Sequence, residues 1–399
     1  MQRGPISPLS PNGQKNTGWK SLQSYHRMLT RTDIVQFQEN KISEKFGVSP
    51  ADFSDKVPFS DKETLSCLNL GHPPVIGFTS GTTIQTNINY WNTNYFNEQM
   101  SRDWYHQGLR EGDYIIIFGL STRGSMRYSM SMYEKNGVIP IFIPHHPKYI
   151  PEVIEAIRKY KPKVFNLLSN PMIMAFENYF ENNNIDPVEL FSCFDLFHFG
   201  GEHMSDRYKE LVKSWQIDII ECTSVGDRYA AFECKERNGF HVYEDLLYIE
   251  TIDDEMVVTS LYDTPEPFVR FKTGDIIKKH TEPCKCGSPH MRFEVLGRKT
   301  YQVKFQNKSI FPLDVQRIVE TIPETRSGIF QIKRPREGAN VIDIIVGYEK
   351  DKLNRDLSDL KNELESQITS SLNIPNSVEL VDVKIILQNG PLHKVKRVI

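Results

Sequence analysis

Tyr114-Ile115-Ile116-Ile117-Phe118 is a continuous apolar run, the pattern of a strand buried on both faces. The chain alternates outward from it. Asn94 to Leu109 ahead of it has the spacing of an amphipathic helix. Behind it come helix at Ser129 to Lys135, strand at Val138 to Ile143, helix at Ile150 to Tyr160 and strand at Val164 to Leu168. Helix returns at Pro171 to Phe180 and Asp206 to Trp215, around a strand at Leu196 to Phe199. Such repeated units predict an α/β fold: mostly parallel sheet, helices on both faces, and ligands at the carboxyl ends of the strands.

Toward the N-terminus, residues 1–20 are polar, lack an apolar signal-like core and read as a flexible tail. Ser21 to Leu68 has helical periodicity, with Ser60 as the cap and Glu63 as the far half of a capping box. From Phe232 the character turns β-rich, at Leu246 to Glu250, Met256 to Leu261 and Phe268 to Phe271. A boundary is expected at Gly297-Arg298-Lys299, giving a large domain over 21–298 and a small mobile α+β domain over 299–399. Strands at Gly328 to Ile332 and Val341 to Tyr348, with helices at Pro312 to Thr321 and Asn354 to Leu372, suggest a ferredoxin-like layer there.

The 399 residues carry a formal net charge of -3, with 39% hydrophobic and 25% charged residues. That balance gives no nucleic-acid or membrane surface, and no apolar stretch approaches the roughly 20 residues of a transmembrane helix. Six cysteines in a chain this long argue against a disulfide scaffold and for a reducing cytoplasm.

Four loops carry chemistry. Ser80-Gly81-Thr82-Thr83 offers hydroxyls and backbone N–H groups around a glycine, a means of wrapping phosphates. Gly200-Gly201-Glu202 follows a strand and lets a flat ligand lie on the backbone. Thr223-Ser224-Val225-Gly226-Asp227 ends in a carboxylate able to hold Mg²⁺. Thr273-Gly274-Asp275 ends a β segment with an acid suited to ribose hydroxyls. Each by itself is equally an ordinary turn.

Taken in order, these loops resemble the adenylate-forming enzymes, in particular the phenylacetate–CoA ligase branch. The likeness runs from about Val57 to the C-terminus. It includes the entry segment Val57-Pro58-Phe59-Ser60-Asp61-Lys62, the segment Phe240 to Asp245, Cys284-Lys285-Cys286-Gly287, and Gly297-Arg298 with Phe311-Pro312. The resemblance implies that Ser80, Gly81, Thr82 and Thr83 wrap the phosphates of ATP, and that Gly200, Gly201, Glu202, Thr223 and Ser224 line the adenine side. It places Mg²⁺ on Asp227, the ribose on Asp275 and a ribose or phosphate contact on Arg298. The catalytic lysine falls at Lys394, with Lys396 as the alternative.

The chain departs from the pattern at Ile84-Gln85-Thr86, at Thr223 where an aromatic would stack on adenine, at Lys272, at Lys299-Thr300-Tyr301 and at Gln306 to Ser309. The last change keeps the acceptor open: CoA, an amine or a carrier-protein thiol. Other readings are a nucleotide-binding protein without turnover and a zinc-stabilised interaction module. A homodimer stays open.

Cys234, His241, Cys284 and Cys286 form a separate set, three soft thiolates and one imidazole for a closed structural Zn²⁺ site, with His290 as the alternative to His241. Two buried thiols beside unrelated residues are the plainer alternative. Cys67, Cys193 and Cys222 read as core residues.

Overall fold

The computed structural model describes residues 30–61, 64, 76–79, 87–90, 99, 101–104, 107–119, 133, 136–200, 202–226, 229–261, 267–388 and 395–399. The chain opens with helix α1 (Arg31–Phe46), capped by Thr30 through a reciprocal bond with Asp33. Gly47 in the left-handed region (φ 65°) ends it, and Pro50 starts α2 (Pro50–Lys56), so the helical pattern here is divided between two helices. Ser60 is not a helix cap. Its hydroxyl donates to the Val269 carbonyl at 2.6 Å and its backbone bridges Phe271, while Asp61 accepts from Thr64 N–H at 2.8 Å. An extended partner was within reach and took the hydroxyl.

Strands β1 (Ile76–Thr79) and β2 (Asn87–Tyr90) pair antiparallel, Thr79 opposite Asn87. Next come β3 (Tyr114–Gly119), β4 (Ile139–Pro144), α3 (Ile150–Tyr160), β5 (Val164–Leu168), α4 (Asn170–Asn183), α5 (Pro187–Phe191), β6 (Leu196–Gly200), α6 (Asp206–Ser214) and β7 (Ile219–Val225). These follow the expected alternation closely. Helix α3 shows why: Ile150, Val153, Ile154 and Ile157 recur on one face and are buried.

After β7 the chain reverses into β8 (Tyr229–Glu233), β9 (Phe240–His241), β10 (Leu247–Ile252), β11 (Glu255–Ser260), β12 (Phe271–His280) and β13 (Arg292–Arg298). All join one 11-stranded sheet in the order β10-β11-β12-β13-β9-β8-β7-β6-β5-β3-β4. Its β4 to β7 half is parallel and the rest antiparallel. The strand expected at Phe268 to Phe271 instead begins at Phe271. Phe268 stacks on that ring at 4.4 Å, which takes it out of the ladder.

The small part comprises the hairpin β14 (Val303–Phe305) and β15 (Lys308–Ile310), then α7 (Pro312–Val319), β16 (Phe330–Ile332), β17 (Ile342–Tyr348), α8 (Leu357–Leu372), β18 (Asn376–Asp382) and α9 (Val383–Gln388). β17 pairs antiparallel with β16 and parallel with β18, the latter across α8. The last residues return to this sheet: Ile332 N–H donates to the Arg397 carbonyl at 2.7 Å and Ile399 N–H to the Ile332 carbonyl at 2.9 Å. Among the described residues no helix is long and apolar enough to cross a membrane.

Phe191 centres the aromatic core beneath the parallel strands. Its ring lies 5.1 to 6.2 Å from those of Phe176, Phe180, Phe194, Phe197 and Trp215. Phe191→Ala removes those contacts and leaves a cavity. We expect a loss of about 3–5 kcal/mol in urea unfolding, against well under half of that for Phe191→Leu.

Candidate functional site

The neighbouring ends of β6 and β7 bring Gly200, Thr223 and Ser224 together: Gly200 is the Cα partner of Cys222, one residue before Thr223. A Cβ at Gly200 would sit 2.6 Å from Cys222 Sγ. The close approach that requires glycine here is therefore strand against strand, a reason the sequence reading did not contain.

The loop leaving Gly200 is tied down by α4. Asn170 N–H donates to Glu202 Oε1 at 3.1 Å, Asn170 Nδ2 to the His203 carbonyl at 2.9 Å, and Ser205 N–H to Asn170 Oδ1 at 3.0 Å. Glu202 thus turns its carboxylate toward the start of α4 and toward Arg397, 3.8 Å away. Ser80, Gly81, Thr82, Thr83, Gly201, Asp227 and Lys394 lie outside the described residues, although β1 and β2 flank residues 80–86.

Asp275 and Arg298 face each other as cross-strand partners on β12 and β13, with Arg298 Nε 3.0 Å from Asp275 Oδ1. Asp275 is 5% exposed. Its N–H donates to Thr273 Oγ1 at 3.1 Å, and that hydroxyl donates to the Met256 carbonyl at 2.9 Å. Thr273, Gly274 and Asp275 do not end a β segment as expected but lie inside β12, where its pairing with β11 shifts register. Gly274 has φ 78° with open space around it, so the local backbone kink, not crowding, calls for glycine. Glu255 accepts from Gly274 N–H and pairs with Lys299 at 3.0 Å, tying the kink to the start of the small part. Gly200 with Thr223 and Ser224, and Asp275 with Arg298, therefore occupy the two halves of one sheet.

A cluster that the sequence reading missed lies beneath the Glu202 loop. Glu221 accepts from Met204 N–H at 3.2 Å and pairs with Lys209 at 2.5 Å, while Glu233 accepts from Glu221 N–H at 3.1 Å. Burial pushes the Glu233 carboxyl up to about 7, and the Glu221 carboxylate beside it adds to the rise. Only the pairing of β7 with β8 joins these positions, 12 residues apart.

The second predicted site assembles fully. The donor atoms of Cys234, His241, Cys284 and Cys286 all lie within 4.8 Å of one another. Cys234 Sγ is 3.6 Å from Cys284 Sγ, and Cys286 Sγ is 3.5 Å from His241 Nε2. Metal–sulfur bonds of about 2.3 Å in a tetrahedron give edges of about 3.7 Å, so this donor set fits a tetrahedral ion. His241 Nδ1 faces the His290 carbonyl at 3.3 Å, an arrangement that leaves Nε2 aimed at the cluster. His290 does not belong to it: its Nδ1 accepts from Glu244 N–H at 3.2 Å. The turn after β8, β9 and the loop between β12 and β13 thus converge on one point.

No family model matches the chain. It is 31% identical over 290 residues to the phenylacetate–coenzyme A ligase of Thermus thermophilus, across 67% of this chain and 61% of that protein, so it spans about three fifths of that relative's length. Among solved structures it is similar to 2-hydroxyisobutyryl-CoA ligase in the postadenylation state. The TM-score is 0.74 at 17% identity, covering 94% of this chain and 91% of that one. The same ligase in its thioesterification state, with 2-HIB-AMP and CoA, gives a TM-score of 0.55 at 16% identity, covering 95% and 89%.

The Glu233 carboxyl supplies a test by pH. It binds its proton more tightly folded than unfolded, so stability falls as pH rises from about 4.5 through about 7. Relative to the parent, Glu233→Gln is expected to remove a decline on the order of 2–3 kcal/mol across that window in urea titrations.

Proposed function

We propose, from its likeness to the phenylacetate–coenzyme A ligase of Thermus thermophilus, that the chain is an adenylate-forming enzyme and activates a small carboxylic acid with ATP. The acid carboxylate attacks the α-phosphorus, a P–O bond to pyrophosphate breaks, and an acyl-adenylate remains. A thiol, CoA in the simplest reading, then attacks the acyl carbon and releases AMP. The observation that carries this reading is the buried Asp275 carboxylate, paired with Arg298 at an irregularity within β12 whose backbone Thr273 holds, where it can accept ribose hydroxyls.

In this reading Ser80, Gly81, Thr82 and Thr83 wrap the phosphates between β1 and β2, and Gly200, Gly201, Glu202, Thr223 and Ser224 line the adenine side. Lys394 meets the charge that builds on the reacting oxygens. Asp227 would hold Mg²⁺, which offsets phosphate charge when bound. Residues 21–298 carry the nucleotide and acid sites; residues 299–399 form a small domain that moves between the two half-reactions. The better match to the postadenylation than to the thioesterification state of 2-hydroxyisobutyryl-CoA ligase supports reading the present arrangement as the one that precedes transfer. An amine or carrier-protein acceptor is the second reading, favoured by the altered Gln306 to Ser309 loop.

The four-donor cluster is assigned to structural Zn²⁺, held by Cys234, His241, Cys284 and Cys286. A closed shell of three thiolates and one imidazole leaves no open position for a substrate. The cytoplasm suits it, since thiolates stay reduced there.

Acid-dependent exchange of pyrophosphate into ATP, screened over aryl and alkyl acids without acceptor, is expected to reveal the substrate. Lys394→Ala should abolish exchange with AMP binding retained. Exchange that persists at the parent rate in Lys394→Ala counts against that lysine, and no exchange with any acid favours the nucleotide-binding protein without turnover. Metal analysis of the purified chain is expected to find roughly one zinc, lost in Cys284→Ser together with a lower Tm.

A further inference from the structure

The large and small parts meet along an ionic seam centred on Arg397. This side chain is only 7% exposed. Its Nη1 donates to the Gly328 carbonyl at 2.6 Å, and the guanidinium lies 4.6 Å over the Phe330 ring, both within the small part. Its Nη2 points the other way, to Glu202 Oε2 in the large part at 3.8 Å. The Arg397 backbone is held too, since its carbonyl accepts from Ile332 N–H. Val395, two residues earlier, packs among Ile329, Val383 and Ile386.

Near it, burial raises the Glu320 carboxyl of the small part, and Ser205, Gln316 and Arg207 hold it partly down. Glu320 Oε1 accepts from Gln316 Nε2 at 2.7 Å within the small part. Gly328 leaves room for it, because a Cβ there would lie 2.6 Å from Glu320 Oε1. Farther along, Arg326 approaches Glu177 at 3.8 Å, which already holds Arg207 at 2.5 Å. The Arg317–Asp206 pair at 3.5 Å is more than half exposed on both sides and contributes little.

A guanidinium withdrawn from water this far needs carboxylate partners, and its partner in the large part belongs to the loop assigned above to adenine. Lys394 precedes Arg397 by three residues. We propose that Arg397 is a positioning residue: it clamps the C-terminal segment to Glu202 in the loop after β6 and sets the small part in the orientation for the first half-reaction. The kinetic part of this proposal rests on the adenylation reading; the orientational part does not.

The test measures the two half-reactions separately. Arg397→Met is expected to lower kcat for acid-dependent pyrophosphate exchange roughly 10- to 100-fold, with KM for ATP changed less than about twofold. Thiolysis of a supplied acyl-adenylate by CoA should stay at the parent rate, and Arg397→Lys should restore part of the exchange. Parent-level exchange in folded Arg397→Met, or equal loss in both half-reactions, overturns the proposal. Small-angle X-ray scattering provides an arm free of chemistry: Arg397→Met should give a profile distinct from the parent, and an unchanged profile overturns the proposal. If the parent itself shows no exchange while the scattering of Arg397→Met differs, the adenylation reading fails and the clamp stands.

Discussion

Strands β3 and β6 are buried almost throughout, so their amides have no water to turn to and must pair with a neighbouring strand. That requirement makes the sheet continuous. It runs through the parallel strands, reverses at the Val225–Tyr229 pair and continues antiparallel to β10. The reversal matters for function because it puts strand ends and a strand kink into one scaffold. The parallel half ends at Gly200 and Thr223; the antiparallel half carries the Gly274 kink and the Asp275–Arg298 pair.

Burial also governs the charges. Arg102 is held by Asp245 at 2.9 Å, and Arg270 by Glu250 at 3.0 Å. Each pair ties segments distant in sequence, and removing one partner would leave a charge in low dielectric. Glu221 follows the same rule through Lys209, whereas Glu233 meets it by taking up a proton more readily. The four-donor cluster fits the same pattern, because a metal ion held there would neutralise thiolates that the β-rich half has brought together. The ionic seam extends it between the parts: buried Arg397 takes a carbonyl partner from Gly328 in the small part and a carboxylate, Glu202, from the large part.

Much of this architecture was legible from periodicity. Ile150 to Tyr160 and Val164 to Leu168 appear as expected, because a helix with one apolar face and a strand buried on both are local patterns. Ser60 and Phe268 were misread because each was won by a partner far along the chain, the Val269 carbonyl and the Phe271 ring. The metal cluster was legible in its residue types, but the choice of His241 over His290 came from the fold: the Glu244 N–H occupies His290, and the Cys286 thiol lies against His241.

The sequence by itself determined the alternation of elements, the change to β-rich structure near Phe232, the loops that carry glycine and hydroxyls, and the order of motifs that carries the family resemblance. All of these depend on residues close together in the chain or on the order of short motifs. Only the tertiary structure decided that Gly200 is required by Cys222, that Glu233 lies half-buried beside Glu221, and that Arg397 reaches Glu202. The physical reason is common to all three. Steric contact, desolvation and ion pairing act over a few ångströms in space, and the residues involved are 22, 12 and 195 positions apart in the chain.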